Sequence, residues 1–535
     1  MTGFRALGIF EEEDYLSSEE RAERARTKEE ELENKWRLTP DWFRRGTRWC
    51  LPPEGLNVAV IGGGFSGLSA GWYLKECGAE VSVFEARSTI GGRVRTDRSF
   101  APGKWIEAGA ELIGENHALW RILARRFGLT LKAMSDEGSY PGLKVRVRFG
   151  GSDLTDPEKR SLGRELLPHL TQLGEDAKPI DPMEPWTSPG AAGFDAMSVE
   201  QRLNEILPAT SSYARQWLAF TLGNDNCASI GRQSYLGLLA SLSAARMGDD
   251  PKGMMGYWFS TETERCHEGN DKLTSAFAGV LSGSVFTSRR VDRVVIAPWP
   301  VYPPVWILSS ELDSAGRVLH RRVGGYHYAI LTTPPTVWKA IKVFPSFSPI
   351  ARTISHGPAV KFFSRYPEEF WKTESEPLAP LAKWDELGSV WEGTDNQSTP
   401  PGFVLSVFSG GDFVQPPAAY DPKLTTIYPG RKATCEREEL VDWTKEKDIE
   451  AGYAIPTVGQ ASTVNPALVL PHENRLYFAG EQASPGFFGY MEGALQAGAR
   501  AARDIVRAVA VPCSMVAAGD PRDAGDQSGV TNEGF

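Results

Sequence analysis

Cysteine is scarce and scattered. The six cysteines, Cys50, Cys77, Cys227, Cys266, Cys435 and Cys513, form no C-x-x-C pair. That pattern excludes a zinc ribbon or a dense disulfide scaffold, and the six are read as free thiols in a reducing compartment. No metal is expected. Clustered positive charge is also missing: the formal net charge is −10, so nucleic acid is excluded as a partner, because phosphate binding needs gathered Lys and Arg. No uninterrupted apolar run reaches about 18 residues, so no membrane span is expected. The segment from Met1 to Tyr15 is acidic and has no apolar core, so it is not read as a signal peptide. The last five residues, Thr531 to Phe535, match no peroxisomal or retention signal. Together these absences give an expectation of a cytoplasmic protein. There is no internal repeat.

What is present is globular. Of the 535 residues, 41% are hydrophobic and 24% charged, and at roughly 100–200 residues per domain the length predicts two or three domains. Residues 1–50 read as a charged arm. Ser17 to Lys35 is dense in Glu, Arg and Lys, with opposite charges four apart, as in Glu20 and Arg24, which favours a solvated helix. Trp36, Trp42, Phe43 and Trp49 then pin the arm to the body or to a neighbouring subunit. From 111 to about 262 the pattern is mostly helical, with short strands predicted at Val291 to Ile296, Val305 to Leu308 and Tyr328 to Thr332. A final strand, Leu476 to Ala479, precedes a helix from Glu492 to Val509. The tail is expected to be flexible.

One local pattern carries chemistry. An apolar strand, Asn57 to Ile61, runs into Gly62, Gly64 and Gly67 in G-x-G-x-x-G spacing, with Phe65 and Ser66 between them. A helix follows, then a second strand, Val81 to Phe84, ending at Glu85. The first glycine makes the tight turn, the second lets backbone approach a pyrophosphate, and the third packs helix against strand. Glu85 stands where a carboxylate accepts from a ribose diol. Strand, turn, helix, second strand and acid together indicate a dinucleotide.

The residues that follow choose the dinucleotide. Glu85-Ala86-Arg87 leads to Gly91-Gly92-Arg93, in which two glycines permit close approach and Arg93 offers a cationic fork for phosphate. Far downstream, Gly480-Glu481 ends the last strand, and Gly489-Tyr490-Met491 opens the last helix. These motifs resemble those of the flavin amine oxidase family, which includes monoamine, polyamine and L-amino acid oxidases. The resemblance spans about residues 56–510. It implies an α/β fold with a discontinuous Rossmann-like FAD-binding domain (51–110, 265–330 and 441–511). A mixed α+β substrate domain (111–264 and 331–440) would complete the body, between an arm at 1–50 and a flexible tail at 512–535. It also implies that Val291 meets the adenine, that Glu481 meets the ribityl and phosphate region, and that the helix start faces the flavin pyrimidine. The cofactor segment further takes in Gly109, Ala110, Glu111 and Leu112, and Trp443.

The same resemblance implies the catalytic residues. Gly452-Tyr453 and Gly489-Tyr490 align with the two tyrosines that flank a substrate nitrogen in monoamine oxidases. Gly452 stands where covalent members carry a flavin-linked cysteine, so FAD is expected to be non-covalent. Lys361, in Gly357 to Phe362, matches a lysine that reaches flavin N5 through a water, whereas Lys339 and Lys342 look like ordinary solvated lysines. Leu112 occupies the position at which L-amino acid oxidases place the arginine that forks a carboxylate, so an amine is favoured over an amino acid. Glu111 and Glu115 are candidates for a second cationic group of a polyamine. The expected partners are a small amine or amino acid and O2, with a homodimer left open. An L-amino acid oxidase, an amino acid monooxygenase and a non-catalytic FAD-bound scaffold stay as alternatives.

Overall fold

The computed structural model describes residues 8–45, 49–52, 55–207, 212–298, 300–372, 376–397 and 402–513. A five-stranded parallel sheet gathers the chain from distant places. Its order is Val285–Phe286, Glu80–Phe84, Asn57–Ile61, Tyr328–Leu331 and Leu476–Phe478. The central strands are buried on both faces, as a covered parallel sheet requires, and Val58, Ala59, Val60, Ala329 and Ile330 are fully buried. Helix Phe65–Glu76 packs on this sheet, and helix Met491–Val509 packs on that helix. The close packing has a steric basis. A Cβ at Gly498 would lie 2.1 Å from the Ser66 carbonyl oxygen, and one at Gly67 1.9 Å from that of Gly62.

A four-stranded sheet adjoins it in the order Val318–Tyr326, Val305–Leu312, Arg289–Ile296 and Lys342–Phe344. A seven-stranded sheet forms the other half of the body, in the order Arg437–Asp442, Ala359–Tyr366, Phe403–Gly410, Gly388–Glu392, Leu378–Trp384, Lys144–Phe149 and Ser152–Asp153. Lys144–Phe149 is a departure from the mostly helical reading of 111–262. Its period-2 pattern is plain in the burial, with Val145, Val147 and Phe149 inward. Helices between Asp156 and Phe259 pack a second apolar core against this sheet. No helix among the described residues is long and apolar enough to cross a membrane.

The arm forms a helix, Ser18–Glu31, started by a capping box between Ser17 and Glu20. It is not simply solvated. Arg21 pairs with Glu115 at 2.8 Å, Arg24 with Asp250 at 2.5 Å and Glu29 with Arg125 at 2.5 Å, and Lys28 Nζ donates to the Ala244 carbonyl at 2.7 Å. Glu115 is thus taken by the arm rather than left for a polyamine. Phe43 is buried, Trp36 packs on the main core, and the Trp42 indole donates to the Tyr73 hydroxyl, so the arm is pinned to its own chain.

The reading of six free thiols is corrected: Cys50 and Cys513 form a disulfide with Cα atoms 5.0 Å apart. It sits on the antiparallel pair Trp49–Cys50 and Val511–Pro512, which ties the arm to the end of the last helix. Spacing along the chain hid this bond, because its ends are 463 residues apart. The first residues of the expected flexible tail, 512 and 513, are therefore held, and the rest of it lies outside the described residues.

Candidate active site

A cavity opens at the carboxyl ends of the parallel strands, where ligands of open α/β sheets bind. It is lined by Gly62, Gly64, Phe65 and Ser66 from the first turn and by Glu85, Ala86 and Arg87 from the second strand end. Gly91, Gly92 and Arg93, the segment Gly109, Ala110, Glu111 and Leu112, and Val291 and Trp443 complete that side. Gly480, Glu481, Gly489, Tyr490 and Met491 close it from the C-terminal motif, and Lys361 and Tyr453 line the same space. Of the residues expected from sequence to hold the cofactor or to act in catalysis, only Gly67 is absent from the lining, and Glu115, the other candidate for a polyamine's second cation, also lies outside it. Gly67 is buried in the contact between helix and strand, the place the fingerprint gives it.

The geometry fits a dinucleotide. Gly62 has φ +113°, a backbone state that favours glycine, and its amide donates to the Phe84 carbonyl at 2.8 Å. Gly91 N donates to Gly63 O at 2.8 Å, so the two Gly-rich turns lie against each other. Helix Phe65–Glu76 starts at Gly64 and helix Met491–Val509 at Tyr490, both without a side-chain cap. Both starts face the cavity, so free N–H groups and two positive helix ends are directed into it. FAD, when bound, supplies the hydride acceptor. Its pyrophosphate would lie at the first helix start and its flavin ring toward the second.

Four carboxyls set the local electrostatics. Glu85 Oε2 accepts from Gly63 N at 2.7 Å and Oε1 from Arg87 N at 2.8 Å. Burial pushes its carboxyl up, against those two amides. Glu481 accepts from Arg93 Nη1 and from Gly489 N, both at 2.8 Å. Burial opposes its ionisation, yet Arg93 and His356 hold its carboxyl below the ordinary value. Arg93 Nη1 also donates to Gly452 O at 2.7 Å. That nitrogen joins the GGR turn to Glu481 and Gly452, a link the phosphate reading of Arg93 does not include. Glu111 is buried, and burial raises its carboxyl while Lys361 and Arg265 together hold it below the ordinary value. Burial lifts Glu107 to about 7.

Lys361 lies on strand Ala359–Tyr366, 6% exposed. Its Nζ donates to Glu111 Oε2 at 2.7 Å and to the Glu107 carbonyl at 2.9 Å. The other Glu111 oxygen takes Arg265 Nη2 at 2.8 Å and Trp391 Nε1 at 3.0 Å. The sequence offers Glu111 as a cofactor contact or a polyamine anchor. Its segment lines the cavity, but its carboxylate is committed to groups of its own chain. Lys339 is exposed and pairs with Glu450.

Tyr453 packs against the residue that precedes Tyr490. A Cβ on Gly489 would lie 2.8 Å from Cδ2 of Tyr453, so the Tyr453 ring rests on the backbone next to Tyr490. The Tyr453 hydroxyl donates to the Asp225 carbonyl. Tyr490 is held edge-on by His117, with centroids 5.3 Å apart, and by Phe487 at 6.3 Å. Burial pushes both phenols up, so both are neutral donors. Gly452 has no space for a side chain: a Cβ would lie 2.5 Å from the Gly357 carbonyl oxygen and 2.8 Å from Ala359 N.

Sequence reasoning missed Arg265, Trp391, His117, Asp225 and the turn Thr332-Thr333-Pro334, of which Trp391, Asp225 and the turn line the cavity. Only the last had a local signal, a polar Pro-containing turn directly after an apolar strand. The others arrive through tertiary pairing.

The profile of the family described as flavin containing amine oxidoreductase matches residues 65–506. A flavin-containing amine oxidase of Oncorhynchus mykiss is 25% identical over 474 residues, covering 84% of this chain and 85% of that one. Flavin-containing amine oxidase B of Homo sapiens is 24% identical over 489 residues, covering 85% and 86%. Among solved structures, cyclohexylamine oxidase from Brevibacterium oxydans IH-35A superposes with a TM-score of 0.69 at 22% identity, covering 85% of this chain and 99% of that one. A putrescine oxidase bound to putrescine gives 0.71 at 19% identity, covering 85% and 99%. With its cavity built for FAD, this chain belongs to the family of flavin-containing amine oxidoreductases and is a flavin-dependent enzyme acting on amines.

Proposed function

We propose that this enzyme oxidises a primary or secondary amine to an imine, with O2 as the final acceptor. The amine gives up two electrons and two protons as its C–N single bond becomes a double bond. O2 takes them up as hydrogen peroxide, and water splits the imine into a carbonyl compound and ammonia or a smaller amine. The observation that carries the reading is the Tyr453–Tyr490 pair, set at an uncapped helix start in the cavity that Lys361 also lines. The two rings orient the neutral amine and its C–H bond, while apolar neighbours such as Phe488 and Leu112 exclude water. Lys361 supplies a positive charge and an N–H at the flavin side, where O2 is reduced.

An amine is favoured over an amino acid by the charges of the wall. Five cations line the cavity: Arg87, Arg93, Arg289, Arg290 and Lys361. Each already has a carboxylate partner, namely Glu446, Glu481, Glu311, Asp292 and Glu111 respectively. A substrate carboxylate would enter without a counter-ion, which is costly in a buried site. The test is peroxide release from matched pairs, each an amine and the L-amino acid that decarboxylates to it. Release from the amines is expected. Release from the amino acids alone would overturn the substrate class and favour an L-amino acid oxidase.

A further inference from the structure

Glu111 is a buried carboxylate that the proposed chemistry does not itself use, and its surroundings define a task. It sits in the segment Gly109 to Leu112, which lines the cavity from the side of the Gly-rich turns. Its two oxygens divide their partners. Oε2 faces Lys361 at 2.7 Å, and Oε1 faces Arg265 at 2.8 Å and the Trp391 indole N–H at 3.0 Å. Side-chain exposures are 2% for Glu111, 7% for Lys361 and 6% for Arg265. These residues come from separate segments: Lys361 from strand Ala359–Tyr366, Arg265 from Glu264–Cys266 and Trp391 from Gly388–Glu392.

We propose that Glu111 is the positioning residue for Lys361: its carboxylate keeps the ammonium charged and aimed along the cavity wall, and Arg265 fixes that carboxylate from behind. The proposal rests on the reading above that Lys361 acts beside the flavin. An ammonium has three N–H donors. Two go to Glu111 Oε2 and the Glu107 carbonyl, both in the same short segment, which leaves one for the cavity. The charged groups facing Lys361 are Glu111, the Glu107 carboxyl and, through Glu111, Arg265. Trp391 adds a ring face 5.3 Å from Nζ. With Glu111 ionised and Glu107, which burial lifts to about 7, protonated below that pH, two cations share one anion and the cluster leaves a net positive charge beside the flavin. If the carboxylate were replaced by an amide, the ammonium would face a permanently charged guanidinium in a dry site. It would then lose its proton or swing away, since a buried charge without a partner is strongly disfavoured. Either way the positive charge leaves the wall.

This gives a test by sign. Four holoenzyme variants are compared with wild type: Glu111→Gln, Glu111→Asp, Lys361→Met and the double variant Glu111→Gln/Lys361→Met. The readouts are FAD content, the midpoint potential of the bound flavin against reference dyes, and the rate of reoxidation by O2. Lys361→Met is expected to make the potential more negative and to slow reoxidation by about 10²-fold, the scale for losing one preorganised charge. Glu111→Gln is expected to shift the potential in the same negative direction. The double variant should be no more negative than Lys361→Met alone, because Glu111 acts through Lys361 and, with Lys361 gone, its removal takes away only a negative charge. Glu111→Asp should fall between wild type and Glu111→Gln.

A more positive or unchanged potential in Glu111→Gln overturns the proposal. A more positive value is the sign expected if a carboxylate is lost while the ammonium stays. A double variant whose shift is the sum of the two singles overturns it as well, and makes Glu111 a packing residue. If Glu111→Gln does not load FAD, Glu111→Asp decides: a potential equal to wild type overturns the proposal, and a negative shift supports it. If Lys361→Met itself changes neither potential nor reoxidation, the reading of Lys361 fails first, and the role of Glu111 falls with it.

Discussion

Arg93→Met isolates the ion pair that joins the two FAD motifs. In the wild type, Glu481 is 5% exposed and meets Arg93 at 2.8 Å, with further bonds from Gly489 N at 2.8 Å and Ala454 N at 3.2 Å. Its folded-state carboxyl lies below the ordinary value. Its ionised form therefore stabilises the fold above the unfolded value of about 4.3, and that contribution is lost as pH falls through the folded value. Removal of Arg93 leaves burial as the largest influence, and the folded carboxyl moves above 4.3. The sign then reverses. Between about pH 4.3 and the new folded value, the variant loses about 1.4 kcal/mol of stability per pH unit relative to wild type. Breaking one side of a buried pair bounds the total near 3–5 kcal/mol. Part of any loss at low pH comes from the bond of Arg93 to the Gly452 carbonyl and does not depend on pH. The assay is thermal unfolding of both proteins from pH 5 to 8 with FAD in excess, since binding alone shifts stability. The difference in Tm should widen as pH rises, and Glu481→Gln added to Arg93→Met should remove that widening. A gap that stays constant, or narrows toward pH 8, would refute the electrostatic role of this pair.

Other outcomes follow from the same geometry. Acid precipitation should release FAD intact, because Gly452 has no side chain and no room for one; flavin that stays with the pellet would contradict this. Tyr490→Ala and Tyr453→Ala should each slow anaerobic flavin reduction by about 10-fold or more, as orientation is worth several kcal/mol, while FAD content is retained; unchanged single-turnover rates in both would move the substrate pocket elsewhere. Denatured protein alkylated without reductant should take up four labels, at Cys77, Cys227, Cys266 and Cys435, and six after reduction. Six labels without reductant would mean that the Cys50–Cys513 bond does not form.

The parts legible in sequence are those in which a short segment states its own geometry. Strand Asn57–Ile61 and helix Phe65–Glu76 follow from an apolar run and a Gly-rich turn, and the last helix begins one residue from its expected start. Gly62 and Gly67 have a steric meaning in the sequence that the packing bears out, since a Cβ would collide at both, whereas the crowding at Gly452 is visible only in the structure. Strand Lys144–Phe149 was legible but overlooked: its alternation of Val145, Val147 and Phe149 with charged residues is a period-2 pattern inside a segment read as helical. Pairings across the chain were not legible. Lys361 and Glu111 are 250 positions apart, and nothing in either neighbourhood names the other. The same is true of Cys50 and Cys513. For Arg93 the local motif indicates phosphate and does not show that tertiary packing also brings Glu481 and the Gly452 carbonyl to one of its nitrogens.

The central claim, that the Tyr453–Tyr490 cavity holds an amine in front of a reducible flavin, is tested most directly by anaerobic stopped-flow mixing of the FAD-loaded enzyme with a panel of simple primary and secondary amines and their amino acid counterparts. The visible flavin band should bleach with at least one amine at a rate that saturates with amine concentration, and O2 should restore it with release of one peroxide per flavin. A band that no amine changes, whether it bleaches only with L-amino acids or with nothing in the panel, would contradict the account.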